Sequence, residues 1–552
     1  MCLKPVPPHP IPEATAALVK DLFPEDSVYQ FIGDILFDQF HDEDFVDLYP
    51  VDGQPSISPV LLSFVTIFKA LEDLSDRKTV YSLRFRFDWK YALHLPPEYK
   101  GFDHTVLSEF RKRLLTHDAD SRVFNAIFAQ LKQLGFYKHK GIQRTDSLAI
   151  FTHRRRLKRI ELCVETMRTV IKELLHRDPE WTRATLPTEW EERYAKRCKA
   201  ERLSDEERDS LSVIVGDDGP WLLERLEQDD AVDLRELRAV ETLRDVWAVH
   251  YERWLDDHMH WTENTIRGGT QIVETPHDPD AHWATKHGKD WVGYKLQVTE
   301  TDEPDTPHLI TDIAITPAAQ SDMTVLPEVR ARQEEQDRLP GKRFVDSGYV
   351  SGENIKDGRT VGEDLIGPIR GTVTPQSKLP DGFTHADFQI DFELRQVTCP
   401  GGHTTPIISS GKCGDQAIFP RKACVACPLR ARCCTGKKEG RALGFGPYYQ
   451  ETQAARQRQQ TDAFKEQYRA HRSGVEGCLS ALVRGHGIRT TRYVGQAKNN
   501  LHALFVGAAV NLARSAAWRS GYRPKKYPPR LGLVVGSGEA GTRRAAGAVK
   551  TA

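Results

Sequence analysis

The stretch Gly341-Lys342-Arg343-Phe344-Val345-Asp346-Ser347-Gly348-Tyr349-Val350 constrains the fold of this chain more than any other. A short apolar run, Phe344-Val345, ends on a carboxylate and is punctuated at once by Ser347-Gly348, the pattern of a buried strand in a mixed or parallel sheet. A carboxylate at the C-terminal lip of such a strand is poorly placed for packing and well placed for chemistry, because open α/β sheets hold ligands outside the carboxyl ends of their strands. Asp346 is therefore a candidate metal ligand. A helix N-cap or an Asx-turn following the strand would use the same residue, so its weight depends on the company it keeps.

With 552 residues the chain has room for roughly three or four domains of ordinary size. A hydrophobic content of 39% with 28% charged residues describes a soluble, polar-surfaced protein. No run approaches the ~18 to 20 apolar residues of a membrane span. The N-terminus lacks an apolar segment followed by a small-residue cleavage site, so a cytoplasmic location is expected. The net charge of −1 hides a polarity: from Arg484 onward the single acid is Glu539 among many Lys and Arg, while acids concentrate between Glu189 and Asp257. Polyanion binding leans on Lys and Arg, so the segments inform more than the total.

Taken in order, residues 1–28 are a Pro-rich extended lead-in. Residues 29–136 read as an all-helical domain, a candidate for DNA binding through the basic and aromatic clusters described next, with Val60, Leu61, Phe64, Ile67, Phe68 and Leu71 forming one apolar stripe. Basic and aromatic residues cluster in 77–90 and again in 102–113. The second cluster resembles a recognition helix opened by an Asp or Thr cap and presenting Ser108, Arg111 and Lys112; a solvated charged face would look the same. Residues 140–150 read as a strand with Asp146 midway, followed by a basic helix from His153 and a helical insertion over 153–264 that packs as a small bundle. Strands return at 290–299, expected to be half-exposed, and at 308–316, its hairpin partner. A helix from Met323, the Asp346 strand and a further strand at 364–369 complete an α/β layer, spanning 137–152 and 265–385. Residues 386–447 form a Cys-rich insertion, 448–521 a helical C-terminal part in which 463–480 is continuous, and 522–552 a basic disordered tail.

Six of the ten cysteines lie between Cys399 and Cys434, and such crowding favours metal over disulfides in a cytosolic-looking chain. Cys424-Val425-Ala426-Cys427 is the strongest signature, because two thiolates at that spacing can bite one tetrahedral Zn²⁺. Cys399 and Cys433 would complete four thiolates, with Cys434, Cys413 or His403 as substitutes. A redox pair is the rival, but the flanks lack the βαβ context such a motif expects.

Phosphodiester chemistry needs hydroxide at neutral pH and charge neutralisation of an in-line transition state, which a pair of metal ions provides. Two strand-borne aspartates and a helix-borne glutamate supply the hard oxygens Mg²⁺ requires, and Asp146, Asp346 and Glu476 have those placements. Arg472 and Glu476 are four apart and would share a helix face, where an exposed ion pair is the plainer account.

Here the chain resembles bacterial insertion-sequence transposases of the DDE superfamily, in the branch that begins with an InsH-type N-terminal domain. The similarity is carried by His104-Thr105-Val106-Leu107-Ser108-Glu109-Phe110-Arg111, Arg144-Thr145-Asp146-Ser147, Trp291-Val292-Gly293-Tyr294-Lys295 and Val345-Asp346-Ser347-Gly348-Tyr349. It continues through Cys-x2-Cys-Pro, Arg472-Ser473-Gly474-Val475-Glu476-Gly477 and Gly487-Ile488-Arg489-Thr490-Thr491-Arg492-Tyr493. The resemblance implies a ribonuclease H-like mixed-sheet core, cleavage at element ends to expose 3′-hydroxyls, and their transfer into target DNA. It implies two Mg²⁺ (or Mn²⁺) ions on Asp146, Asp346 and Glu476, Arg472 near the phosphate, and Arg489 and Arg492 on the DNA backbone. Partners would be double-stranded DNA, both terminal inverted repeats and target, and a second copy in a homodimeric synaptic complex. The chain departs from its relatives after the first acid, where Ser147-Leu148-Ala149 stands in place of Ser-Thr-His. A non-catalytic repeat-binding protein and a ribonuclease H-like nuclease without strand transfer are the alternatives.

Overall fold

The structure, a computed structural model, describes residues 2–24, 27–228, 232–263, 269–286, 288–371, 374–409, 414–434 and 440–523. The chain is mixed α/β and is organised around β1 (Ile142–Phe151). In chain order there follow a short hairpin of β2 (Tyr251–Arg253) and β3 (Met259–Trp261), then β4 (His282–Lys286), β5 (Lys289–Thr301), β6 (Ile310–Pro317), β7 (Lys342–Phe344) and β8 (Asp364–Ile366). β5 lies antiparallel along β1 from Gln143↔Thr301 to Phe151↔Gly293, and β6 runs antiparallel on the far edge of β5. β7 is parallel to β1 and β8 parallel to β7, so the main sheet reads β6-β5-β1-β7-β8, with β4 added to β5 as a hairpin.

β5 is not the half-exposed strand that its alternation suggests. Both of its faces are covered over most of its length. Leu296 and Val298 enter the main hydrophobic core, while Gln297 and Thr299 face a buried polar layer in which Thr299 bonds Thr145 at 2.9 Å and Gln297 accepts from the Tyr349 hydroxyl. Alternation marks two environments here, and the polar one is satisfied by hydrogen bonds rather than by water.

The main core is continuous from the N-terminal helices through the sheet to the C-terminal helix Gln496–Arg519. Phe64 and Phe68 of the helix Pro59–Leu71, Ile313 of β6 and Phe505 and Val506 of the last helix belong to one cluster. Each such buried side chain contributes roughly 1.5–3 kcal/mol. A Cβ at Gly507 would lie 2.9 Å from Ile313 and 3.1 Å from Phe124, so glycine is what lets this helix lie against both β6 and the helix Arg122–Gln133.

The segment between β1 and β4 has a core of its own, in which Met167, Val170, Leu222, Leu243 and Trp247 are buried together. Two local expectations fail in it. The run from His153 to Lys158 is not helical, and the helix begins at Arg159; the cations before it have no apolar stripe to bury, and Arg155 and Arg156 turn instead to Glu161 and Glu274. The sequence from Tyr251 to Trp261 closes the β2–β3 hairpin rather than prolonging a helix. Tyr251 pairs across it with Trp261 and stacks on it at 4.6 Å, while Asp257 takes the left-handed turn conformation at φ 65°.

The cysteine-bearing segment folds as a second antiparallel sheet: β9 (Gln389–Asp391), β10 (Gln396–Thr398), β11 (Thr404–Ser409), β12 (Asp415–Ile418) and β13 (Ala442–Phe445). Val397, Ile407, Ala417, Phe419, Leu443 and Phe445 form its core. Beyond it, the helix expected to run unbroken through 463–480 stops at Arg472 and restarts at Val475. The Arg144 guanidinium takes the space a side chain at Gly474 would need and donates to the His471 carbonyl at 3.2 Å, an acceptor an unbroken helix would use itself. Cys413 and the tail from residue 524 lie outside the described residues.

Candidate active site

Asp146 and Asp346 owe their relation to strand register. β1 and β7 pair in parallel as Ile142↔Lys342, Gln143↔Arg343 and Arg144↔Phe344. Both aspartates lie two residues past the last of these pairs, at equivalent positions on chains that a sheet spaces at about 4.8 Å. Asp146 is buried, 7% exposed. Its Oδ1 accepts from the Ser147 N–H at 2.8 Å and its Oδ2 from Arg472 at 2.8 Å. Burial pushes the Asp146 carboxyl above the usual range; the Arg472 charge opposes this, and the Asp346 charge adds to it.

Asp346 Oδ1 accepts the Gly348 N–H at 2.7 Å, an Asx-type turn, while its Oδ2 has no hydrogen-bond partner among the described residues. The plain structural role and an open ligand oxygen thus coexist on one carboxylate. A Cβ at Gly348 would stand 2.9 Å from Asp346 Oδ1 and 3.2 Å from Asp322 Oδ2, so the loop passes between two acids. Asp322 opens the helix Asp322–Glu335, with Lys295 at 3.2 Å and Ser147 Oγ at 3.4 Å.

Glu476 stands in the first turn of the helix Val475–His486 and is exposed. The break at Ser473-Gly474 separates it from Arg472, so the two do not share one helix face. Among the described residues none hydrogen-bonds or ion-pairs with Glu476. The structure therefore brings Asp146, Asp346 and Arg472 together and leaves Glu476 one turn beyond Arg472, without a polar contact to either aspartate. Among the described residues no three His, Cys, Asp or Glu side chains are grouped so as to hold a metal ion.

The expected DNA-contacting arginines divide. Arg489 is exposed, lies over the Phe151 ring and donates to Ala149 O, while its own carbonyl accepts from Phe151 N–H at 2.9 Å, fastening residues 487–493 to the end of β1. Arg492 is spent on Leu74 O at 2.8 Å and on Asp73. Arg111 does not point outward: it forms a two-pronged pair with Asp76 at 3.0 and 2.7 Å and lies over Tyr493. Ser108 and Lys112 are exposed. An arginine in a helical stripe turns inward when an acid on the neighbouring helix meets it, which spacing along one segment does not reveal.

Cys399, Cys424, Cys427, Cys433 and Cys434 are free thiols lining one pocket with His403, Phe383, Phe419 and Leu429. A Cβ at Gly401 would lie 3.2 Å from Cys427 Sγ and 3.6 Å from Cys399 Sγ, and Cys424 Sγ accepts from the Arg441 N–H at 3.4 Å. Burial pushes the Cys433 thiol up to about 12, with Cys434 adding to it.

Residues 398–516 match the family model described as a transposase DDE domain, and residues 18–113 match a transposase domain, DUF772. The two matches together support an insertion-sequence DDE transposase. No curated protein and no solved structure matches the chain. The transposase DDE match contains Arg472, Glu476 and the described cysteines of the pocket, and the aspartates lie outside both matches. Sequence reasoning about this site missed Asp322, Lys295, Gln297 and Tyr349. For Lys295 and Gln297 the available signal was the polar alternation of β5, read as exposure.

Proposed function

We propose that this transposase cleaves DNA at the ends of an insertion sequence and transfers the 3′-hydroxyl ends into target DNA, on a ribonuclease H-like core. What carries the reading is the parallel register that sets Asp146 and Asp346 side by side with Arg472 against one of them. The strand order, three antiparallel strands continued by two parallel ones, supports the core assignment. Asp146 and the open oxygen of Asp346 offer hard oxygens to divalent cations, two Mg²⁺ or Mn²⁺, and Glu476, exposed on the following helix, would join them only by moving toward the aspartates. When bound, such ions lower the pKa of water and neutralise charge on the phosphate. Arg472 holds the Asp146 charge in their absence and turns to the phosphate when DNA is present. Arg489, exposed beside the end of β1, contacts the backbone.

Cys399, Cys424, Cys427 and Cys433 would hold one structural Zn²⁺, with Cys434 or His403 as the substitute, the thiols that share the pocket closing around the ion from a spacing that does not yet group three of them. The Gly401 cradle and the Arg441 N–H on Cys424 support this, the second because a donor to a ligand sulfur is typical of a metal's outer shell. We place the protein in the cytoplasm on nucleoid DNA, as a homodimer when two ends are synapsed. Among the described residues no helix is long and apolar enough to cross a membrane.

The test is nicking of a duplex carrying the inverted repeats that flank the coding region, with Mg²⁺ or Mn²⁺. Asp346→Asn should lose nicking and keep DNA binding; equal nicking by the variant would sink the assignment. Joining of the 3′ ends to a target distinguishes transposition from simple nuclease action. One observation favours a second reading, a DNA-holding protein without catalysis: the lack of polar contact between Glu476 and the aspartates. Wild-type protein that binds the repeats but never nicks them would establish it.

A further inference from the structure

The helix Asp76–Phe85 turns a single face to solvent, and every charge exposed on that face is positive. Arg77, Lys78, Tyr81, Arg84 and Phe85 fall within an arc of about 120° at helical spacing. Tyr81 is 67% and Phe85 57% exposed, with ring centroids 4.7 Å apart, and Phe87 follows at 39%. Large rings left in water beside cations mark a contact surface rather than a solvated face. The acids nearby are already paired: Asp76 with Lys69 and Arg111, Asp73 with Arg492, and Asp88 with Arg86. Arg77 and Lys78 have no ion-pair partner among the described residues, and Arg84 donates only to the Lys100 carbonyl.

From this we infer that the DNA-contacting helix of the N-terminal region is Asp76–Phe85 and that its partner is duplex DNA. The inference rests on the transposase reading and adds to it the surface that receives the element end. The helix Thr105–Thr116 is the weaker candidate, because its exposed face mixes Lys112 with Glu109 and its Arg111 is turned inward. Cations at 77, 78 and 84 neutralise phosphates, and the two rings supply the apolar contact that base edges and thymine methyls accept.

The helix is also fixed relative to the aspartates. Lys69 bonds the Tyr493 hydroxyl at 2.7 Å and pairs with Asp76 at 3.0 Å, at the start of the helix, and Arg492 clasps Asp73 and Leu74 just before it. Residues 489–491 are hydrogen-bonded to Phe151 at the end of β1, the strand that carries Asp146. Arg111 and Arg492 thus serve as braces that hold the reading surface in register with the acids, which accounts for their not reaching DNA themselves.

The test uses full-length protein and fluorescence anisotropy on two labelled duplexes, one carrying the flanking inverted repeat and one of scrambled sequence, across a salt series. Arg77→Ala/Lys78→Ala/Arg84→Ala should weaken both duplexes by about tenfold or more and flatten the salt dependence by about two to three units of slope. Tyr81→Ala/Phe85→Ala should weaken the repeat duplex more than the scrambled one. All five side chains are exposed, and unchanged melting temperatures would show that the variants fold. Wild-type protein binding neither duplex would overturn the transposase reading and this one with it. Wild-type binding that both variants retain in full would overturn this assignment alone. So would a loss of dimer in the Tyr81/Phe85 variant with DNA binding unchanged, since the face would then cover a second copy.

Discussion

The two sets of potential metal ligands in this chain are assembled in opposite ways. Asp146 and Asp346 are distant in sequence and meet because two parallel strands share a register; their oxygens are hard, and one stays open. The five thiols come from a short stretch of chain and line a pocket walled by Phe383, Phe419 and Leu429; their sulfurs are soft and turned inward. Hard oxygens would serve a cation that must exchange water and substrate, and soft thiolates, once closed around an ion, one that never leaves. The difference teaches where each cluster's stability comes from: Asp146 sits on a strand anchored in the main core, Asp346 beside two smaller clusters built on Phe344 and Val345, and the thiols on a small sheet with a core of its own.

The sharpest way to break the comparison is at Asp346. Loss of an outer-shell partner of a metal costs roughly 10–100-fold, so Asp346→Asn, which removes a proposed ligand itself, should lower cleavage by more than that. Repeat binding and melting temperature should stay near wild type. Gel-based cleavage of the repeat duplex measures this, and a variant within tenfold of wild type would mean that the acids are structural.

Next in size is the thiol pocket. Elemental analysis should find about one zinc per chain, falling toward none in Cys424→Ser/Cys427→Ser, because a structural metal's binding energy is folding energy. If the two sites are as independent as their cores suggest, limited proteolysis should open β9–β13 while the main sheet stays protected. A zinc-free wild type holding a Cys424–Cys427 disulfide would contradict the prediction.

The contrast also decides what was legible in the sequence. The thiols were visible as candidates from spacing alone, because a C-x2-C turn is a local object. The strand holding Asp146, the hairpin of β5 with β6 and the helix from Asp322 were legible from periodicity. The pairing of Asp146 with Asp346 was suggested by resemblance but owes its geometry to register, which no local window contains. The five strands around the cysteines were missed because they are short and separated by turns. Arg111 was misread because its partner, Asp76, is on another helix, and the break after Arg472 because its cause, Arg144, comes from β1.

That break offers a test of the acids' dependence on their surroundings. The Arg144 side chain is almost fully enclosed and tied to Glu300 at 2.7 Å and Asp302 at 2.8 Å, so it cannot swing aside to admit a methyl group at Gly474. Overpacking of this kind costs about 1–3 kcal/mol. Gly474→Ala should therefore lower the melting temperature and also lower cleavage, because it moves Arg472 and Glu476 relative to the strands. Gly444→Ala, in the thiol-bearing sheet and with open space around it, should leave cleavage unchanged. Equal effects of the two would deny that the break positions anything.

The smallest effect expected is a pH dependence at Asp146. Burial raises its carboxyl above the ordinary value of 3.8, with Arg472 opposing and Asp346 reinforcing. An acid raised in the folded state binds its proton more tightly there than in the unfolded chain. Between 3.8 and the raised value the native state therefore holds more protons, and stability falls as pH rises through that window. Above it the cost of the buried carboxylate is present in full. Asparagine cannot lose a proton and escapes the cost, so in chelator-treated protein the stability of Asp146→Asn relative to wild type should grow with pH through the window and then level off. Added Mg²⁺ should shrink the difference on the wild-type side alone, since only the aspartate offers a ligand. Thermal melts across the acidic range, with and without the ion, measure both. A difference independent of pH would mean that Arg472 already cancels the burial, and the acid shelf would then resemble the thiol pocket in being built for structure rather than for a cation in exchange.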